Sequence, residues 1–180
     1  QLTEVCEGTH IATTSGRWSD PRTWNTGRIP DHDSKVVIPS GTVVDVNGVF
    51  DRRALDWIRI DGRLAFQPQR HTALLVRTVV VSKSGVLTIG SAAQPLHPRA
   101  KARLLIAARH VRDRRGDPLD LAGGLIASGI VEMVGPPKDG RHFPTTVLRA
   151  GTVTLDFAVA PAGWNRGDRL LVPGTVYGSD

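Results

Sequence analysis

A repeat of about 22 residues is the feature of this sequence that most constrains its fold. Each unit has alternating β-branched and polar residues on both sides of a glycine. The spacings between successive unit glycines are 21, 23, 44, 22 and 23 residues. The glycines are Gly41, Gly62, Gly85, Gly129, Gly151 and Gly174. The spacing of 44 corresponds to two steps, which predicts a unit without a glycine near residue 107.

The unit length decides among fold classes. A β-α-β crossover needs about 30 residues, so these units are too short for one. They suit the coils of a parallel β-helix, in which each coil stacks on its neighbours and completes a shared core. We therefore predict an all-β fold with about seven coils over residues 36–180 and an irregular N-terminal cap over residues 1–35. An antiparallel sandwich of hairpins, with a glycine in each turn, is the alternative.

The repeat also makes local predictions. A glycine between two alternating runs permits a bend or a positive φ at a corner of a coil. Alternation in the unit over residues 147–157 places Val147, Val153, Leu155 and Phe157 in an inward row. The stretch over residues 103–111 is rich in Ala, Leu and Arg and locally resembles a helix, but the repeat predicts a strand there.

Composition excludes several classes of protein. Hydrophobic residues make up 40% of the chain, enough for a packed core rather than disorder. No apolar run approaches the roughly 18 residues of a membrane span. The single cysteine excludes an internal disulfide framework and a cysteine-based zinc site. We predict no metal site and no cofactor, because neither a ligand pattern nor a glycine-rich phosphate loop is present.

The charge balance indicates an acidic partner. The net charge is +6, and most of the cations are arginines, whose planar fork suits carboxylate, sulfate and phosphate groups. A nucleic-acid partner is not expected, because aromatic residues make up only 5% of the chain and no known binding motif occurs. The densest basic stretch contains a candidate polyanion-binding patch, namely Arg109, Arg112, Arg114 and Arg115. A solvated basic loop is the alternative interpretation.

Two tryptophans are candidate sugar-stacking residues. Trp18 and Trp24 lie six residues apart in a segment rich in Gly, Ser and Pro. An exposed indole ring can stack on a sugar. The alternative is that both rings fill space beneath irregular loops, with the indole N–H satisfied. No catalytic residue is predicted, because outward Asp and Arg side chains are also typical of a solvated sheet surface.

The C-terminal edge of the predicted stack is a candidate interaction surface. Leu170, Leu171 and Val172 belong to the last repeat unit, and no further unit follows them in this sequence. Exposed strand edges and apolar faces favour association. The partner at this edge is therefore expected to be further β-helix coils or a second copy of the chain.

Several motifs resemble the G8 domain, a family named for its eight glycines. The resemblance begins at SGRWSDPRTW, with Ser19, Asp20, Pro21, Thr23 and Trp24, and continues through GRIPDHDSKVVIPSGTVVDV, IRIDGRLAF and GVLTIGSAAQPL. The later segments DPLDLAGGLIASGIVEMVG and GWNRGDRLLVPGTVYG are similar to the region that comes after the domain in the same proteins. The resemblance extends over about residues 14–178. It predicts a G8-like part over about residues 14–140 and a continuing, truncated β-helix over residues 141–180.

The resemblance implies a location and a class of ligand. Proteins with this domain include hyaluronan-binding and hyaluronan-depolymerising cell-surface proteins, fibrocystin and bacterial secreted β-helix proteins. It implies a secreted or cell-surface location, a right-handed β-helix and an association with polysaccharide. We therefore expect a module that binds or helps to process an acidic glycan, within a parent protein that is a hydrolase, a lyase or an adhesin. The alternative is a purely structural N-terminal cap of a longer β-helix enzyme or adhesin.

Overall fold

The structure, a computed structural model, describes residue 3 and residues 5–107 and 123–172. The chain divides into two compact units, residues 1–135 and residues 136–180. The described part of the first unit has two short 3-10 helices, Val5–Glu7 and Pro21–Thr23. Its strands are β1 (His10–Ile11), β2 (Gly16–Arg17), β3 (Lys35–Ile38), β4 (Val43–Val46), β5 (Val49–Ile60), β6 (Arg63–Phe66), β7 (Thr72–Val81), β8 (Val86–Ile89), β9 (Ala102–Ile106), β10 (Leu125–Ala127) and β11 (Ile130–Met133).

The strands form two parallel sheets. The first sheet has the order β1-β3-β5-β7-β10, and β9 pairs with the other half of β7. The second sheet has the order β11-β8-β6-β4-β2. Every pairing between these strands is parallel. The all-β prediction is confirmed, and the antiparallel sandwich is wrong.

Successive repeat units lie side by side. In the first sheet Val36 is opposite Ile58, and Ile58 is opposite Val79. In the second sheet Val44 is opposite Leu64, and Leu64 is opposite Leu87. The chain crosses from one sheet to the other within each unit, so one repeat contributes one strand to each sheet. The repeat length is thus the length of chain needed for one full circuit.

The core lies between the two sheets. In β3 to β8, the residues that point inward are fully or almost fully buried. The inward rows consist mainly of Val, Ile and Leu, together with Phe66, and they form one continuous cluster. Burial of each such side chain contributes about 1.5–3 kcal/mol. The β-branched residues of the repeat therefore favour the extended backbone and also fill the core.

Three of the repeat glycines allow close approach of the backbone at a corner. A Cβ at Gly85 would lie 2.0 Å from the Ile60 carbonyl oxygen, and one at Gly129 would lie 2.2 Å from the Ser82 oxygen. At Gly62 the distance to the Pro39 oxygen would be 2.2 Å. We use the word level for the strands that one repeat unit contributes to the two sheets. Each glycine therefore packs directly on the backbone of the preceding level. Any side chain at these positions would separate the levels.

The 44-residue spacing does not contain the extra unit that the repeat predicted. β10 pairs directly with β7, and β11 pairs directly with β8, so Gly129 stacks on the level of Gly85. Among the described residues, β9 pairs with the first half of β7 and β10 pairs with its second half, so these two strands together form one level next to β7. The strand predicted over residues 103–111 is present as Ala102–Ile106, where it pairs with the first half of β7. Residues 108–111 lie outside the described residues.

The last two predicted units do not form strands where the structure describes them. Residues 136–172 contain no helix or strand. Val147 is 86% exposed and Val153 is 97% exposed, so the predicted inward row is wrong for both residues. Gly151 has a φ of 86° and stacks on no other backbone. Alternation alone was insufficient here, because no neighbouring strand supplies hydrogen bonds to these residues.

The N-terminal region predicted to be irregular contributes to both sheets. β1 pairs with β3, and β2 pairs with β4. Between β2 and β3 the chain is held by turns and by the 3-10 helix Pro21–Thr23, which Asp20 caps by accepting a hydrogen bond from the Arg22 amide. The first strand of each sheet therefore lies within residues 1–35.

Candidate functional site

A polar cleft lies on the outer face of the second sheet, beneath the loop that follows β8. It has a volume of about 290 Å³. We use the name polar cleft for the space lined by Val43, Asp45, Arg63, Ala65, Phe66, Gln67, Pro68, Thr88, Gly90, Ser91 and Gln94. The lining combines strand residues, which form the floor, with loop residues, which form one wall.

The floor is a row of outward-pointing residues on adjacent strands. Asp45 is opposite Ala65, Ala65 is opposite Thr88, and Thr88 is opposite Glu132. Neighbouring strands are about 4.8 Å apart, so Asp45 and Thr88 are separated by roughly 10 Å across the small Ala65 side chain. The methyl group of Ala65 leaves the depression between them open.

The loop wall is held firmly against the sheet. The amide of Ala92 donates to Glu132 Oε1 at 3.0 Å, and the amide of Leu96 donates to the Val134 oxygen at 3.1 Å. Within the loop, Ser91 and Gln94 exchange backbone hydrogen bonds at 2.9 and 3.1 Å. The wall of the polar cleft is therefore formed in advance of any ligand.

The polar cleft contains unused hydrogen-bonding groups. Thr88 is only 5% exposed, and its Oγ1 has no hydrogen-bond partner in the described structure. Buried polar groups are normally paired, so an unpaired hydroxyl facing a cleft needs an explanation. Within the described part of the chain, the side chains of Asp45 and Arg63 form no ion pair either.

A cluster of cations lies next to the polar cleft, at the corner where two turns stack. The amide of His97 donates to the Pro68 oxygen at 2.9 Å, and the amide of Lys101 donates to His71 Nδ1 at 3.1 Å. These contacts bring together two turns that are about 30 residues apart in sequence. We call the exposed set Arg70, His71, His97, Arg99 and Lys101 the basic corner. Its cations are Arg70, Arg99 and Lys101, whereas the Nδ1 atoms of both histidines accept backbone hydrogen bonds.

The cations of the basic corner form no ion pair with any carboxylate in the described part of the chain. The ion pairs of the described residues involve other cations, such as Arg77 with Asp33 and Arg103 with Asp51. Arg70 donates to a backbone oxygen, that of Asn47, at 3.3 Å. Cations in this setting are free to bind acidic groups of a ligand.

Comparison with known families agrees with this architecture. A family model described as the G8 domain matches residues 23–142, two thirds of the chain. This chain belongs to the G8 domain family. No curated protein and no solved structure shows a significant match to it. The matched residues of the G8 domain include β3 to β11, the polar cleft and the basic corner.

The two candidate stacking tryptophans lie in the core, Trp24 within the region matched to the G8 domain and Trp18 just before it. Trp18 has no exposed surface, and Trp24 is 2% exposed. The rings pack edge to face with centroids 5.0 Å apart, and Trp24 Nε1 donates to the Trp18 oxygen at 3.0 Å. With both faces covered by protein, neither ring is open to a sugar. Both rings therefore fill space, as in the alternative considered from the sequence, but only the Trp24 indole N–H is satisfied, because Trp18 Nε1 has no hydrogen-bond partner among the described residues.

The candidate polyanion patch lies outside the described residues. It consists of Arg109, Arg112, Arg114 and Arg115, and it follows β9. The structure adds the basic corner, which sequence reasoning missed because its members come from two separate turns. The only available signal was the pair of short segments QPQRH and LHPRAK, each with basic residues beside a proline.

Other kinds of site receive no support from the described residues. Nowhere in residues 5–107 and 123–172 do three or more His, Cys, Asp or Glu side chains form a group that could hold a metal ion. None of the helices there is long and apolar enough to cross a membrane.

The second unit has a cavity of its own, of about 790 Å³. Within it His142 contacts the rings of Phe157 and Trp164 at centroid distances of 5.8 and 5.5 Å. His142 also contacts the carboxylate of Asp139. Hydrogen bonds from the Ala162 amide and from His142 hold the pKa of Asp139 below its ordinary value. These contacts organise the unit around an aromatic cluster.

Proposed function

We propose that this chain is an extracellular module that binds an acidic glycan. The observation that carries the proposal is the basic corner, whose exposed cations lie beside the polar cleft and pair with no carboxylate of residues 5–107 or 123–172. The mixed hydrogen-bonding groups of the cleft suit hydroxyl-rich ligands, and the cations suit carboxylate or sulfate groups. The G8 family assignment is consistent with an extracellular location. Secretion or display at a cell surface is part of the proposal.

The proposal includes a specific architecture. We take the two sheets to be faces of a right-handed parallel β-helix whose first turns close its N-terminal end. Parallel pairing and one circuit per repeat support this interpretation. We also include Arg109, Arg112, Arg114 and Arg115 in the binding surface. These arginines follow β9, whose preceding turn carries Arg99 and Lys101 of the basic corner.

The test is retention on heparin and hyaluronan resins. One variant changes Arg70, Arg99 and Lys101 to Ser, and a second changes Arg112, Arg114 and Arg115 to Ser. Both are expected to elute at lower salt, because exposed ionic contacts act over a Debye length of about 8–10 Å and are screened by salt. Folding is expected to be unchanged, since exposed cations contribute little to stability.

The matched control removes the same charge elsewhere. Arg28, Arg52 and Lys83 are exposed, form no ion pair in the described structure and lie in three separate parts of the first unit. Changing these three residues to Ser should lower retention much less. If the control and the basic-corner variant elute together, retention reflects net charge alone. The glycan-binding proposal would then fail.

A structural role is the second candidate function. β11 and β10 end the two sheets among the described strands, and Ile130 and Met133 are 62% and 53% exposed. An open end of this kind suits further stacked strands from a longer β-helix enzyme or adhesin. A protein that keeps its fold but binds no glycan on an array would favour this candidate over the first.

A further inference from the structure

The polar cleft has the features of a ligand-binding site. Its Thr88 hydroxyl is buried without a partner, and the loop wall is held in place by Glu132 and Val134. A hydroxyl on an outward-facing strand position normally reaches water. Here Thr88 is almost fully buried, and it is one of the residues that line the cleft.

The composition of the polar cleft defines the chemistry of its ligand. Asp45 is a pure acceptor, Arg63 is a pure donor, and the hydroxyls of Thr88 and Ser91 both donate and accept. The amides of Gln67 and Gln94 also offer donors and acceptors. The two charged lining residues are of opposite sign, so the lining favours neither an anion nor a cation. A compact ring with several hydroxyl groups matches this mixture.

We infer that the polar cleft binds a single uncharged sugar residue, with Thr88 as a direct hydrogen-bonding partner. This inference deepens the proposed glycan-binding function and rests on it. The two surfaces recognise different chemical groups: the cleft binds hydroxyl groups, whereas the adjacent basic corner attracts acidic groups. Gln67 and Pro68 of the cleft lead directly into Arg70 of the corner. One glycan chain can therefore contact both surfaces.

The size of the polar cleft limits what it can hold. Its volume of about 290 Å³ lies at the small end of the range for ligand pockets, which runs from about 300 to 1,000 Å³. A single ring fits this volume better than an oligosaccharide. The rest of a chain would lie along the surface, outside the cleft.

The experiment is a titration of the whole chain with monosaccharides, followed by NMR at the backbone amides and methyl groups. The probes are glucose, N-acetylglucosamine and glucuronate at millimolar concentration. The uncharged sugars are expected to shift signals of Ala65, Thr88 and Gln94. Glucuronate is expected to bind more weakly, because its carboxylate must lose hydration in a cleft that offers no net positive charge to compensate.

Thr88→Val separates a binding role from a structural one. It removes the hydroxyl and keeps the shape, so sugar affinity should fall by about five- to tenfold while folding is preserved. Thr72→Val is the matched control, because Thr72 is 1% exposed and its hydroxyl also lacks a partner, but it lies on β7 and does not line the cleft. Sugar binding by this control should equal that of the unmodified chain.

Ala65→Leu is a second, independent variant. Its larger side chain fills the floor of the cleft and should abolish the shifts. Heparin retention of Thr88→Val and Ala65→Leu should be unchanged, which separates failure of this inference from failure of the glycan-binding proposal. The inference is overturned if neither glucose nor N-acetylglucosamine shifts the cleft signals, or if Thr88→Val binds these sugars as tightly as Thr72→Val.

Discussion

The Arg59–Asp61 pair shows how one ion pair connects the N-terminal segment to the first sheet. Arg59 Nε donates to Asp61 Oδ2 at 2.9 Å, and Arg59 Nη1 donates to the Thr3 oxygen at 2.8 Å. Both side chains are about four-fifths buried, at 20% and 17% exposure. Burial opposes ionisation of Asp61, but the hydrogen bonds and charge of Arg59, together with the nearby Ser82 hydroxyl, outweigh it and hold the pKa of Asp61 below its ordinary value. The pair is therefore partly desolvated yet charged.

Replacing Asp61 with Asn should destabilise the protein at neutral pH. We expect a loss of about 1–2 kcal/mol in the free energy of unfolding, because Arg59 would lose a charged acceptor. The folded-state pKa of Asp61 is lowered, so its contribution is complete above the unfolded value of about 3.9 and disappears as pH falls through the folded value. Urea denaturation at pH 7 and at successively lower pH should show the two proteins converging in acid.

Asp31→Asn provides the control for that prediction. Asp31 pairs with Arg53 at 3.5 Å, but the two side chains are 71% and 67% exposed. Surface pairs of this kind contribute little to stability. A loss for Asp31→Asn equal to that for Asp61→Asn would contradict the role given to burial.

Gly85 is the residue at which a single methyl group should be least tolerated. Its Cβ would lie 2.0 Å from the Ile60 oxygen and 2.9 Å from the Ile60 carbonyl carbon. Backbone atoms in a paired strand cannot move aside as a flexible side chain does. Gly85→Ala should therefore cost about 2 kcal/mol or more by thermal denaturation. Gly135→Ala, where no atom lies within 4 Å, should be nearly neutral, and equal losses would refute the explanation.

Among the elements, the last strand of the second sheet has a half-covered inner face. Val131 is opposite Leu87, and Met133 is opposite Ile89, so both residues continue rows of the core. They are nevertheless 36% and 53% exposed, whereas Leu87 has no exposed surface. β11 thus presents apolar side chains and a backbone edge that pairs with no other described strand. Such edges favour pairing with another chain.

Self-association through β11 should depend on Met133. Sedimentation velocity over a range of concentrations is expected to show association of the unmodified chain and less association of Met133→Lys, since lysine blocks strand edges. Val49→Lys adds the same charge at a residue that is 51% exposed, within β5 and away from this edge. Association that is equally weak in both variants would point to net charge rather than to the edge.

Across the molecule as a whole, the two units differ in how they are held together. The core cluster is formed entirely by residues of the first unit. The described part of the second unit depends on turns, the Lys138–Asp168 ion pair and the aromatic contacts of His142. Lys138 holds the pKa of Asp168 below its ordinary value, mainly through the hydrogen bond between them. The first unit therefore contains the interactions that make cooperative folding possible.

A chain limited to residues 1–135 should fold. We expect it to keep a β-type circular dichroism spectrum and a cooperative thermal transition, because it retains both sheets and the whole core cluster. Polar-cleft and basic-corner residues are retained as well. A disordered spectrum for this shorter chain would show that residues 136–180 are needed to complete the core.

The fold class, the repeat length and the inward rows of the first unit could be predicted from the sequence alone. Residues such as Val36, Ile58 and Val79 could be identified as core because strand alternation and burial are both local patterns with a period of two. The glycine positions at Gly62 and Gly85 were also found from spacing. The spacing did not show why glycine is needed there. A bend and a positive φ also favour glycine, and only the structure shows that the reason is close approach of stacked turns.

Strand pairing in three dimensions was needed to establish which units are neighbours. The spacing between Gly85 and Gly129 is consistent with two stacked levels or with one level that contains additional residues. The second is correct, because β10 pairs directly with β7 and β11 pairs directly with β8. The alternating pattern near Val147 and Val153 found no partner strand, so it produced no sheet. Thr88, Arg70 and Lys101 became part of a candidate site for the same reason, since residues distant in sequence meet only when backbone pairing between levels sets their register.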